Sequence, residues 1–267
     1  MKISLPIVAL WLASLLPISC GGDPAQPGGF TPLAEDYPLE LLERFAADAL
    51  EVVDSLQPTD IESVSIRFVG LDELEQILLK ELRPQLAMQF EDEQVAEKSA
   101  ETMAKAIGRG LVAKTVTETG EIVLVRQNLF DIALAMGMPN YATEQVLQAV
   151  IVHEVVHVVD NGAHSLADLL GSAKDADGIQ AVNAVIEGHA QFIARQANRK
   201  MGNSAAFELF TDAIGKVPET EDPVEMYTNK IIASGFLFAY HNGELFFDRL
   251  AAADSAMGFE QVLANLP

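Results

Sequence analysis

An α+β fold, largely helical with a small β-sheet, is predicted by three features of the chain. Apolar residues recur at helical spacing over most of the sequence from residue 39 onward. Only two segments alternate in the manner of strands, Ser63 to Val69 (SVSIRFV) and Glu121 to Arg126 (EIVLVR). Both precede a strongly apolar helical stretch at 143 to 160, so the sheet is expected before the chain reaches that helix.

Folding is expected to begin near Tyr37, and Leu39 to Leu56 has an amphipathic helical pattern. After the first strand, Asp72 to Leu82 and Glu91 to Val112 read as helices, the second open to interruption at Gly108 or Gly110. Thr119-Gly120 signals a turn into the second strand, and Gln127 to Met136 reads as a short helix. In 143 to 160, Val146, Leu147, Val150, Ile151 and Val155 supply an apolar surface, Thr143 can cap the start and Asn161-Gly162 can stop it. Its valines weigh toward a buried strand instead, because β-branched side chains are mediocre helix formers. Asp177 or Gly178 opens a helix running to Met201, with Gly202 as its stop. Pro218 to Pro223 is an acidic linker, and Glu225 to Tyr240 and Glu244 to Ala252 read as two helices around a break at His241-Asn242-Gly243.

The 267 residues carry 17 Lys+Arg against 39 Asp+Glu, a formal net charge of −22 that repels nucleic-acid phosphates and anionic lipid headgroups. Hydrophobic residues make up 49% of the chain, ample for a core and contrary to disorder. Met1-Lys2 followed by an apolar run at 3 to 16 has the pattern of a secretory signal, too short for the ~20 residues of a membrane span. The stretch resembles a bacterial lipoprotein signal over residues 1 to 20, which implies cleavage before Cys20 and a lipid on Cys20 as the first residue of the mature chain. An ordinary secretory signal beside a free cysteine is the other possibility. Cys20 is the only cysteine, so no intrachain disulfide can form and no thiol is available inside the domain. Gly21 to Asp36 has the composition of a flexible tether, leaving 37 to 267 as one domain. The expected location is therefore the cell envelope, exported and lipid-anchored, on its periplasmic or extracellular face.

His153-Glu154-Val155-Val156-His157 is the run that carries chemistry. On a helix, imidazoles four residues apart project from one face about one turn apart, close enough to share a zinc ion, with Glu154 placed to act as a base. On a strand the same pair would stand roughly 13 Å apart at ~3.3 Å per residue, too far for one metal. Helix and metal therefore stand together. Three residues compete as third ligand. His164 lies out of register for the HExxHxxGxxH pattern, which needs glycine and histidine where Asp160 and Ala163 stand. Asp160 suits support of a ligand or capping better than ligation. Glu187 is the strongest, since its carboxylate interrupts an apolar helix face made of Ile179, Val182, Ile186, Ala190 and Ile193, where burial is costly unless a cation compensates. Gly188 beside it would let the two helices approach closely.

With His153, Glu154, His157 and Glu187-Gly188-x-Ala190 in place, the chain resembles the gluzincin metallopeptidases, the thermolysin- and aminopeptidase-N-like group. Phe238 to Phe247 also looks like the Tyr-x-x-Gly-x-x-Phe segment of a group of bacterial lipoproteins and secreted proteins that carry both motifs. That likeness spans roughly residues 145 to 265, and such relatives are expected to continue past Leu266-Pro267. The resemblance implies a zincin-like domain hydrolysing a peptide or protein substrate. Zinc would be held by His153, His157 and Glu187, with Glu154 as base and Tyr240, His241 or His189 as donor to the oxyanion. The supporting aspartate four residues after the glutamate is replaced by Gln191, whose amide can accept the same hydrogen bond more weakly. A lipid-anchored binding or chaperone-like module without turnover, or a purely structural metal site, are the competing classes.

Overall fold

The computed structural model describes residues 29–216, 223–253 and 259–263. The signal at 1 to 20 with Cys20, residues 21 to 28 of the tether, the linker residues 218 to 222 and Leu266-Pro267 lie outside the described residues. The described chain is mostly helical with one small sheet, as its periodicity requires. It is packed earlier than Tyr37: Leu33 is buried, Leu33 N–H bonds the Ala142 carbonyl, and Pro32 bridges Thr143.

Helix α1 (Leu39–Asp54) leads to strand β1 (Ile66–Phe68), then to the hairpin of α2 (Leu71–Ala87) and α3 (Glu93–Gly110). α2 runs beyond Leu82 and through Pro84, because Leu86 is buried in the apolar seam it shares with α3. Strands β2 (Ala113–Thr115) and β3 (Ile122–Leu124) follow, and the sheet order is β1-β3-β2, with β1 parallel and β2 antiparallel to β3. Side-chain alternation along β3 divides the core: Ile122 and Leu124 join the main core, whereas Val123 faces the α2/α3 hairpin. β2 was not expected from the sequence.

After α4 (Arg126–Ala135) comes the central helix α5 (Glu144–Ala163), capped by Thr143 and packed against α1, α7 (Ala176–Lys200), α8 (Ser204–Ala213) and the sheet. Its seven valines are all buried. Each costs about 0.5 kcal/mol of helix propensity and gains ~1.5 kcal/mol or more on burial, so packing decides for helix. Asn161-Gly162 does not stop α5. The helix continues to Ala163, and the Asn161 side chain instead accepts a hydrogen bond from Leu166 N–H at the start of α6 (Leu166–Ser172). α7 begins where Asp175 accepts from Gly178 N–H and ends before Gly202, whose φ of 73° only glycine adopts freely.

The break expected at His241-Asn242-Gly243 is not a break. α9 (Pro223–Leu237) passes through a π-helical turn (Phe238–Asn242) directly into α10 (Gly243–Ala253), and α11 (Phe259–Leu263) packs on α7. No described helix is long and apolar enough to cross a membrane.

Candidate metal centre

His153 and His157 project from the buried middle of α5, and Glu187 reaches them from α7. His153 Nε2 and His157 Nε2 are 3.0 Å apart, and Glu187 Oε2 lies 3.3 Å from the first and 3.2 Å from the second. Three donor atoms at the corners of such a triangle fit one small cation, since a tetrahedral site with ~2.05 Å bonds has edges of about 3.3 Å. These residues form a group that could hold a metal ion, drawn from two helices. Two nitrogens and one carboxylate oxygen make a donor set of the kind that binds first-row divalent metals.

The charges of the group are mutually dependent. Burial pushes the His157 imidazolium down, but Glu187, with Glu154 and Asp160 behind it, raises the group to about 9. Burial pushes the Glu187 carboxyl up, yet His157 and His153 hold it well below the usual carboxylate range. Glu187 is thus an anion at neutral pH. It is also the most open of the three, with 24% of its side chain exposed against 1% for His153, so the free side of the triangle faces solvent.

That side is the floor of a cleft of ≈ 990 Å³, lined by Glu154, His157, Glu187 and Tyr240 together with apolar residues of α2, α3 and α9. Glu154 is buried beside the edge strand. Its Oε2 accepts the Thr115 N–H at 2.6 Å, and Thr115 Oγ1 lies 2.9 Å from both that oxygen and the Glu154 carbonyl, donating to one of them. The Thr119-Gly120 turn is the one sequence signal that bears on Thr115, since such a turn implies a hairpin partner for the strand after it.

Tyr240 reaches the centre, stacked on the His153 ring at 5.3 Å and hydrogen-bonded to Glu187. Burial, then the charges of Glu187 and Glu154, raise its phenol well above the ordinary value, so it donates to Glu187 as the neutral form. The π turn that aims it is pressed against α7 through two glycines. A Cβ on Gly188 would stand 2.2 Å from the Gly243 carbonyl carbon, and one on Gly243 would stand 2.1 Å from the Ala184 oxygen. Gly188 therefore admits α10 rather than drawing α5 and α7 together.

Other candidates fall elsewhere. His241 is exposed and does not line the cleft. His189 Nδ1 is 2.8 Å from Asp160 Oδ2, its ring stacked on Phe259, and Asp160 Oδ1 accepts from Gln57 Nε2. Asp160 thereby staples α5 to α7 from behind the triangle, and neither member of the pair faces the cleft. His164 caps the end of α5 and contacts Phe259. Gln191 is fully buried, but its amide makes no hydrogen bond among the described residues, and His153 Nδ1 and His157 Nδ1 likewise have no partner. The support expected from Gln191 is not formed.

No protein-family model, curated protein or solved structure matches this chain. What defines the site is its own geometry.

Proposed function

We propose that the chain is a zinc-dependent peptidase, and that its amino-terminal segment anchors it to the cell envelope through a lipid on Cys20. The observation that carries the proposal is the triangle of His153, His157 and Glu187, open toward a cleft in which Glu154 stands beside the ligands. His153, His157 and Glu187 would hold a zinc ion, which when bound would supply Lewis-acid chemistry toward water and a carbonyl. The chain's own residues do the rest. Thr115 occupies Glu154 Oε2, so Oε1 is left to take a proton from water and hand it to the leaving amine. Tyr240 stacked on His153 and bonded to Glu187 holds two ligands in orientation. The apolar side chains of the cleft wall leave few competing polar groups around the ligands and offer a surface for an apolar side chain of the substrate.

The test is digestion of casein and a peptide library by the zinc-loaded protein. Glu154→Gln is expected to keep one metal per chain and lose at least 99% of the activity, the scale of general-base catalysis. Metal binding with no cleavage by the wild type would assign the chain to binding rather than turnover. For the anchor, the mature protein should partition with detergent, and Cys20→Ser should abolish this; unchanged partition would refute the lipid.

A further inference from the structure

A tetrahedral intermediate needs a hydrogen-bond donor for its oxyanion, and none of the three groups expected to supply one is placed to do so. The Tyr240 hydroxyl is bound to Glu187, His189 is bound to Asp160, and His241 is exposed outside the cleft. The edge strand holds a different group. Lys114 lines the cleft wall, with Nζ 2.9 Å from Glu81 Oε2 and 3.2 Å from the Thr115 carbonyl oxygen.

Its surroundings fix it there. Glu81 is itself held by the Thr117 N–H at 3.2 Å and the Thr117 hydroxyl at 3.0 Å, so the carboxylate that positions Lys114 is anchored to the hairpin. Burial works against the ammonium, but Glu81, then Glu154 and Glu187, keep it charged. An ammonium has three N–H groups, and two are accounted for. Thr115 is the common reference point: its N–H binds the base Glu154, and its carbonyl binds Lys114 Nζ. Base and ammonium thus flank a single residue of β2. Lys98, the other cation of the cleft lining, is exposed on α3 and has no such anchoring.

We propose that Lys114 donates its remaining N–H to the scissile carbonyl oxygen as negative charge develops on it, a catalytic role that rests on the peptidase proposal above. Removing one such donor costs about 10²–10³ in kcat in other hydrolases. Lys114→Met in the full-length, zinc-loaded protein is expected to keep its metal and lower kcat about 100-fold, with KM within threefold of the wild type. Affinity for a phosphinic peptide, whose anionic tetrahedral phosphorus mimics the intermediate, should fall by a similar factor, and Lys114→Arg should recover at least a tenth of the wild-type kcat. If Lys114→Met does not fold, Lys114→Gln and the phosphinic-peptide measurement take its place.

An active wild type with Lys114→Met or Lys114→Gln within threefold of its kcat overturns the inference alone. So does a loss carried by KM instead of kcat, which would make Lys114 a ground-state contact such as a seat for a terminal carboxylate. A zinc-loaded wild type that neither cleaves peptides nor binds the phosphinic peptide overturns the peptidase proposal itself.

Discussion

Metal binding at this centre should be coupled to the release of one proton, and the coupling can be sized from the structure. A metal takes only the unprotonated Nε2, whereas Glu187 raises His157 to about 9 in the metal-free protein. At pH 7 that ring is therefore free in roughly 1% of molecules, which weakens apparent affinity about 100-fold, or about 3 kcal/mol, relative to pH above 9. Zinc titrated against a competing chelator should give a log K rising by about one per pH unit from 6.5 to about 9 and levelling beyond. Calorimetry in buffers of different ionisation enthalpy should find close to one proton released per zinc at pH 7.5. In Glu187→Gln the largest raising influence on His157 is gone, so the ring returns toward its ordinary range and proton release at that pH should fall to a small fraction. Affinity independent of pH between 7 and 9, with no proton released, would refute the coupling and with it the arrangement of His157 against Glu187.

The same pair governs the metal-free protein: because the folded pKa of His157 is raised above its unfolded value, its stabilisation is fully present below pH ~6.5 and is lost as pH rises through about 9. Thermal melts of the apoprotein should show Tm falling across that window, and a flat Tm would exclude it. Gly188→Ala puts a Cβ 2.2 Å from backbone at Gly243 and should cost ~3 kcal/mol, whereas Gly171→Ala, with nothing within 4 Å, should be neutral or gain up to ~1 kcal/mol. Denaturant melts of both variants check this; equal effects would mean that α10 does not press on α7. Asp160→Ala strips the acceptor from buried His189 and from Gln57 and should cost about 3 kcal/mol, yet one metal per chain should still bind. Lost stoichiometry in a folded variant would make Asp160 a ligand.

Local signals were enough for the three ligands and for eight of the described helices, but α6, α8 and α11 went unpredicted because they are short or lack a distinct apolar stripe. The spacing of His153 and His157 has one meaning on a helix and another on a strand, and the cap at Thr143 with the apolar stripe behind it already favours the helix. Glu187 was legible for a related reason, a lone carboxylate in the apolar face of α7. The β2 strand was not, because Ala113-Lys114-Thr115 holds no large apolar residue and directly follows a segment whose helical pattern runs to Val112. Missing β2 hid both Thr115 and Lys114. The ends of α2, α5 and α9 misled for another reason: Pro84, Gly162 and Gly243 are punctuation locally, but here packing overrides them.

By itself, then, the sequence determined most of the longer helices, that two imidazoles share one face, and that a carboxylate lies within reach as a third ligand, because periodicity and burial cost are properties of short segments. Tertiary structure alone decided what those groups meet. It turned Tyr240 onto Glu187 through a π turn seated on two glycines, sent His189 to Asp160, left His241 exposed, and brought Lys114 to the wall of the cleft. Those outcomes depend on distances between elements far apart in the chain, which no local pattern encodes.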